Sequence, residues 1–333
     1  MPHADVQSGQ ARVACRATFH DYVETARPEQ WIKNVIVLAG PAAGLKLLSA
    51  SAFGQVLLTF AAFCLAASAG YAINDVVDRR ADISHPTKCR RPVAAGRLSS
   101  GGAIAFGLAL AAVAAFFAVT FLPRGVFVVL AVYFVVTVVY SITLKRRVIL
   151  DVIVIAIGFV LRALACSLTL GVPTSEWLIA CVFTLCLFMG FGKRRCEIAM
   201  LGQGANLHEH RRTLVRYTPD LLNHLLTVSA GIAVITFLLY TLDSSGTPPP
   251  FKKQQLFFTL PLVVYGIFRF AMLTELGRYT GPTDIVLKDR AMLITVILWT
   301  ACALTVAYQN VLLGPAGLDG LLGGAINLRG GGS

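Results

Sequence analysis

Apolar residues along this chain run in long, nearly unbroken blocks, without the alternation that marks a barrel wall. A membrane-spanning helix needs about 20 mostly apolar residues. Nine blocks approach or reach that length, at roughly 31–50, 53–74, 102–122, 125–143, 149–171, 177–192, 221–242, 255–275 and 291–312. The first is interrupted by Pro41 and by Gly44-Leu45-Lys46, which makes it the least regular. The pattern predicts an all-α, polytopic membrane protein with nine transmembrane helices. Residues 1–27 are polar and lack an apolar core, so no cleavable signal peptide is expected, and a short amphipathic helix near Phe19 to Tyr22 competes with disorder there.

Composition agrees: 56% of residues are hydrophobic, 14% are charged, and the mean hydropathy is +0.71, values outside the range of soluble domains. The eight cysteines form no C-x-x-C pair and most lie inside apolar blocks, which predicts neither a disulfide nor a zinc site. His208, Glu209 and His210 lack helical metal-ligand spacing and read as a solvated loop. The Gly-rich tail 314–333 ends in Gly-Gly-Gly-Ser, reads as partly an appended linker, and is assigned no function.

The net charge of +12 is distributed unevenly. With nine helices and the N-terminus inside, one set of loops holds Arg79, Arg80, Lys88, Arg90, Arg91 and Arg97, then Lys145, Arg146 and Arg147. The same side holds Lys193, Arg194, Arg195, Arg211, Arg212 and Arg216, then Arg278, Lys288 and Arg290. The opposite side holds Arg124, Lys252 and Lys253, with Lys46 near a helix end. By the positive-inside rule the first set is cytoplasmic, in a plasma or inner membrane. Cations in short loops argue against nucleic acid and for lipid head groups or a phosphorylated substrate.

One acidic run stands against this basic background. Asn74-Asp75-Val76-Val77-Asp78-Arg79-Arg80-Ala81-Asp82 follows the second block and precedes His85-Pro86-Thr87-Lys88-Cys89-Arg90-Arg91-Pro92. If the helix continues, Asn74, Asp75, Asp78 and Asp82 are three or four apart and share one face. Their mutual repulsion is relieved by a divalent cation, and the hard ion that carboxylates share with phosphate oxygens is Mg²⁺. A solvated helix end laced to Arg79 and Arg80 is the plainer alternative.

Four further clusters accompany it. Arg27-Pro28-Glu29-Gln30-Trp31-Ile32-Lys33-Asn34 opens the first block, and Lys33 and Asn34 are candidates to face substrate. Tyr140-Ser141, Lys145 and Arg146 lead into Asp151, which lies near enough to the surface to join a site there. Arg162, roughly 16 Å below Asp151 on the same stripe, is expected to sit in a buried ion pair. Gly192-Lys193-Arg194-Arg195-Cys196-Glu197 ends the sixth block, and its Lys193 and Arg194 suit phosphate. Glu275, Tyr279, Asp284, Asp289 and Arg290 serve helix caps as readily as ligand.

The N-D-x-x-D-x-x-x-D run followed by H-P-T-K-C-R-R-P, set in a nine-block chain, resembles the UbiA superfamily of intramembrane prenyltransferases, over about Arg27 to Leu313. R-P-E-Q-W-I-K-N at 27–34, Y-S-I-T-L-K at 140–145, D-V-I-V-I-A-I-G-F-V-L-R at 151–162 and G-K-R-R-C-E at 192–197 look like its decaprenyl-phosphate phosphoribosyltransferase branch. The resemblance implies a UbiA-like bundle with a cytoplasmic active site. It implies transfer of 5-phosphoribose from phosphoribosyl pyrophosphate to a long polyprenyl phosphate, feeding arabinan assembly in the cell envelope. Under it, residues 1–26 are a cytoplasmic segment and 27–313 the catalytic domain, in a chain free to form a homo-oligomer.

The chain departs from the superfamily where a second aspartate-rich motif would follow the sixth span, since Lys193 to Glu197 stands there instead. One acidic cluster facing one basic cluster suits a donor that carries both a pyrophosphate and a separate 5-phosphate. No acidic pair with a Thr-Gly-Gly loop, the donor site of soluble phosphoribosyltransferases, occurs in the chain. The expected roles are Asn74, Asp75, Asp78 and Asp82 on Mg²⁺, Lys88, Arg90 and Arg91 on the leaving pyrophosphate, and Lys145, Arg146, Lys193 and Arg194 on the lipid phosphate. A prenyl-diphosphate-using transferase and a lipid transporter are the rivals. The first lacks its second aspartate motif here, and the second would carry charge at mid-bilayer on several spans, where only Arg162 and Arg269 stand.

Overall fold

A computed structural model describes residues 17–37, 49–201, 217–243 and 253–312, and everything below refers to these. Most of the first predicted span, the His208-Glu209-His210 loop, Cys15 and the Gly-rich tail lie outside them. The described chain is all helical: α1 (Phe19–Ala26), α2 (Ala50–Ile83), α3 (Ser100–Phe121), α4 (Arg124–Ile142), α5 (Leu150–Leu170), α6 (Glu176–Leu201), α7 (Pro219–Leu242), α8 (Leu260–Glu275), α9 (Pro282–Lys288) and α10 (Arg290–Leu312). Eight helices are long and apolar enough to cross a membrane, the eighth predicted block being carried by a 3₁₀ turn, Lys253–Thr259, that leads into α8.

Two boundaries differ from the sequence reading. The sixth span was expected to stop at residue 192, but α6 continues to Leu201, so Lys193 to Glu197 is helix and not loop. Nothing in that stretch breaks a helix, and Lys, Arg, Glu, Ala and Met favour one. At the chain's first block, the described part is a 3₁₀ helix, Pro28–Val37. Its three-residue repeat puts Trp31 and Asn34 on one side, where Trp31 Nε1 donates to Ser68 Oγ at 3.0 Å and Asn34 Nδ2 to Cys64 Sγ at 3.2 Å, one turn apart on α2.

The bundle has two apolar cores. Phe63, Leu130, Tyr133 and Leu170 centre the first, among α2, α4 and α5. Phe188, Leu222, Ile267 and Phe270 centre the second, among α6, α7 and α8. Close helix contact at the junction depends on Gly190 of α6, where a Cβ would stand 2.5 Å from Val152 Cγ1 of α5. Large side chains such as Phe116, Val119, Val135 and Phe268 are exposed on the outside, as lipid contact requires. At the end of the bundle away from the acidic run, Lys253 is fully buried and donates to Asp243 Oδ2 at 2.9 Å.

Candidate functional site

The helix that begins in the second apolar block does continue: α2 is 34 residues long and carries the whole acidic run. Its polar groups share one broad face, as expected of a continuous helix, but on that face they divide between two sets of cations. Asn74 Oδ1 and Asp78 Oδ1 accept from Lys145 Nζ at 2.9 and 2.5 Å. Asp75 accepts from Arg27 and, at 3.4 Å, from Arg91, which also donates to Asp82 Oδ2 at 2.7 Å. Residues 74 and 78 lie four apart at one edge of that face and residues 75 and 82 seven apart at the other, on a helix of 3.6 residues per turn. Asp75 and Asp82 are buried, and Lys145, 5% exposed, is buried with them.

Arg27 reaches Asp75 through an unusual backbone. It closes α1 in the left-handed conformation (φ 52°, ψ 62°) and its guanidinium lies over the Tyr71 ring, 5.2 Å from the centroid. α1 itself is fastened by Arg97, which pairs with Asp21 and Glu24 and donates to the Arg90 carbonyl at 2.8 Å. Hydrogen bonds from the Thr18 backbone and hydroxyl hold the Asp21 carboxyl below the usual aspartate range. Glu24, Arg27, Glu29, Gln30, Asp75, Arg91 and Pro92 surround a cavity of about 250 Å³.

Asp75 Oδ2 is buried and has no hydrogen-bond partner. An orphaned carboxylate oxygen in a polar layer is costly, and its chemistry fits a hard cation that binds one or two carboxylates and completes its shell with water and phosphate oxygens. Asp75, Asp78 and Asp82 are not drawn together as a preformed cage, each being turned toward a cation. The described trio of acid and imidazole groups that is so drawn together, His20, Asp21 and Glu24, has two members engaged by Arg97.

A second carboxylate centre lies at the start of α5. Asp151 is fully buried, accepting from Arg194 Nε at 2.9 Å and from the Tyr217 hydroxyl at 2.8 Å, while Arg194 also reaches Glu197 at 2.7 Å. Tyr140 stands within electrostatic reach of Arg194. The same Tyr217 oxygen accepts from the backbone N–H of Ile149 at 2.7 Å. Ile149 has φ 70° and ψ −49°, and Leu150 N–H closes a tight γ-turn onto Val148 O at 2.8 Å, a strained geometry for a β-branched residue. Burial, and to a smaller degree the Asp151 charge, push the Tyr217 hydroxyl pKa well up, so it stays a donor. Asp151, expected near the surface, is thus enclosed and saturated.

Other candidates separate. Arg90 and Arg146 are exposed, and among the described residues neither makes an ion pair with either carboxylate centre. Lys88 is half-buried with its backbone N–H on His85 Nδ1, and Lys193 is exposed on α6. Arg162 has no carboxylate partner among the described residues, against the expectation of an ion pair. It donates instead to Asn34 Oδ1 at 2.6 Å, Gly158 O at 2.9 Å and Tyr133 Oη at 2.7 Å. The ring faces of Tyr133 and Phe159, 4.6 and 5.1 Å from it, take the place of a counter-charge. Sequence reading passed over Arg27, although it heads the R-P-E-Q-W-I-K-N motif, and Tyr217, for which no local signal exists.

Among known proteins, the chain is 33% identical over 294 residues to the decaprenyl-phosphate phosphoribosyltransferase of Corynebacterium glutamicum, with 86% of each chain covered. It is 34% identical to the protein of that name from Mycolicibacterium smegmatis, over 83% of this chain and 89% of the relative. The solved structure of a UbiA homolog from Archaeoglobus fulgidus bound to DMAPP and Mg²⁺ shares the fold at a TM-score of 0.66 and 18% identity, over 86% of this chain and 99% of that one. Residues 35–285 match the UbiA prenyltransferase family, and with these relatives spanning most of the chain, this integral membrane protein belongs to that family.

Proposed function

We propose that this protein transfers 5-phosphoribose from phosphoribosyl pyrophosphate to a polyprenyl phosphate, releasing pyrophosphate, at the cytoplasmic face of the plasma membrane. The observation that carries the reading is the acidic helix end set against cations from three segments: Arg27, Arg91 and Lys145. The names of relatives 33–34% identical over most of the chain support the same substrates, decaprenyl phosphate as acceptor among them. The loop cations support the cytoplasmic placement, and the length of the first apolar block in the sequence supports a count of nine spans. Residues 27–313 form the catalytic domain, preceded by a cytoplasmic segment, with no function assigned to the Gly-rich residues 314–333.

Asp75, Asp78 and Asp82, with Asn74, would hold Mg²⁺, and the orphaned oxygen of Asp75 is the residue-level support for it. Bound there, the ion supplies charge neutralisation to the departing pyrophosphate. Arg27 and Arg91 stand beside the same carboxylates, where their guanidinium N–H groups could donate to the donor's anionic oxygens. Lys145 could donate in the same way from the Asp78 side. Lys88 and Lys193 complete the basic rim. A phosphate oxygen of the lipid forms the new bond to the anomeric carbon as the bond to pyrophosphate breaks; that oxygen is already anionic, so no general base is required. In-line attack inverts the anomeric centre.

The rival is a prenyltransferase using a prenyl diphosphate, supported by the ligands of the Archaeoglobus structure. An assay of purified protein with labelled phosphoribosyl pyrophosphate and polyprenyl phosphate decides between them. A lipid-extractable product that requires Mg²⁺ is expected. Turnover of a prenyl diphosphate with an aromatic acceptor, and none with the phosphoribosyl donor, would establish the rival.

A further inference from the structure

We infer that Arg162 and Lys33 form the seat of the acceptor's phosphate, on the membrane side of the acidic helix end; the inference rests on the phosphoribosyl-transfer reading and names where its lipid substrate binds. Arg162 is 6% exposed, carries a permanent charge and meets only neutral partners among the described residues. Its three hydrogen bonds use one N–H on each nitrogen, and a guanidinium has five, so one donor remains on each terminal nitrogen. A buried cation in a lipid-embedded bundle with no carboxylate to answer it calls for an anion from outside the protein.

Lys33 supplies the second charge. It follows one residue before Asn34, whose Oδ1 orients Arg162, and it lies within electrostatic reach of Arg162, Lys193 and Arg27. Its side chain is exposed, open to a ligand that arrives from outside the packed bundle. It makes no ion pair among the described residues, and the acidic group within its reach, Glu29, is exposed.

Depth assigns the anion to the acceptor and not to the donor. Arg162 is three helical turns below Asp151 on α5, roughly 16 Å. Asn34, its partner, touches Cys64, which is the same three turns below Asp75 on α2. Two helices therefore place this cation in one layer beneath both carboxylate centres. In-line displacement requires the nucleophile opposite the leaving group. With the pyrophosphate held at the acidic end, the attacking phosphate has to come from the bilayer side, where a polyprenyl chain keeps its tail.

The test uses purified full-length protein in nanodiscs, comparing Arg162→Gln, Arg162→Lys and Lys33→Met with the wild type. Michaelis constants are measured for polyprenyl phosphate and for phosphoribosyl pyrophosphate, and thermal stabilisation by polyprenyl phosphate is set against that by the uncharged polyprenol. We expect the acceptor KM to rise at least tenfold in Arg162→Gln and Lys33→Met, with the donor KM within twofold, and partial recovery in Arg162→Lys. Stabilisation of the wild type by the phosphate but not the alcohol accompanies this result. A rise in donor KM alone would give the cations to the donor's 5-phosphate and overturn the seat. Loss of thermal stability in Arg162→Gln with an unchanged acceptor KM would make Arg162 a structural residue. Should that variant fail to fold, Lys33→Met decides alone, and an unchanged acceptor KM overturns the proposal. A wild type that polyprenyl phosphate does not stabilise would remove the functional reading itself.

Discussion

The two carboxylate centres of this bundle use similar residues to opposite ends. At Asp151 every carboxylate oxygen is answered: Arg194 takes one, Tyr217 the other, and solvent is excluded. At the end of α2 one oxygen of Asp75 is left without a partner, the facing arginines are partly exposed, and a cavity adjoins them. A saturated ion pair fixes the position of helices, whereas an unsatisfied one beside a cavity is ready to accept a ligand. The contrast teaches that charge type alone does not mark the reactive centre; the hydrogen bonds left over do.

Substitutions should separate the two. Asp75→Ala or Asp78→Ala is expected to lower kcat/KM by about 10³-fold or more while the protein still folds, because under the proposed function the charge lost would hold the metal that binds pyrophosphate. Turnover by the wild type should vanish with a chelator and return with Mg²⁺, read in the same assay. Asp151→Ala should instead act on stability, by about 3 kcal/mol, since it leaves buried Arg194 with Glu197 alone and takes the acceptor from the Tyr217 hydroxyl. Thermal unfolding in detergent would show this, and the double change Asp151→Leu with Arg194→Met should cost less than the single one if the pair is structural.

Tyr217→Phe removes the hydroxyl shared by Ile149 and Asp151, for an expected loss of about 1–3 kcal/mol. Ile149→Gly should recover part of it by relaxing the positive φ, by about 1 kcal/mol. The smallest effect belongs to Arg97→Ala, below about 1 kcal/mol and weaker still at high salt, because that pair is partly exposed. The Asp21 carboxyl is held low in the folded state, so its contribution is present above the ordinary aspartate range and fades as pH falls through the depressed value. Faster hydrogen exchange of the α1 amides in acid would report it.

The spans were legible because lipid forces unbroken apolar runs, and the continuation of α2 through Asp82 was legible because nothing there breaks a helix. What the sequence withheld is set by packing between distant segments. Lys145 finds Asp78, Arg27 finds Asp75 and Tyr217 finds Asp151 across 48 to 67 residues, where no periodicity speaks. Arg27 and Ile149 hold backbone conformations that non-glycine side chains resist, so local propensity pointed away from both. Arg162 misled for another reason. The general rule pairs a membrane arginine with an acid, and here aromatic faces, an amide and a backbone carbonyl serve instead.

The length of α2 has a consequence of its own. Thirty-four residues make a rod of about 51 Å, while the hydrocarbon core it crosses is about 30 Å thick. Its acidic end is carried on a mast that outreaches the membrane, and the height of that mast above the head groups depends on how thick the host bilayer is. Membrane thickness thereby sets how far the polar centre stands from the lipid it faces, a mechanical adjustment that belongs to no single side chain.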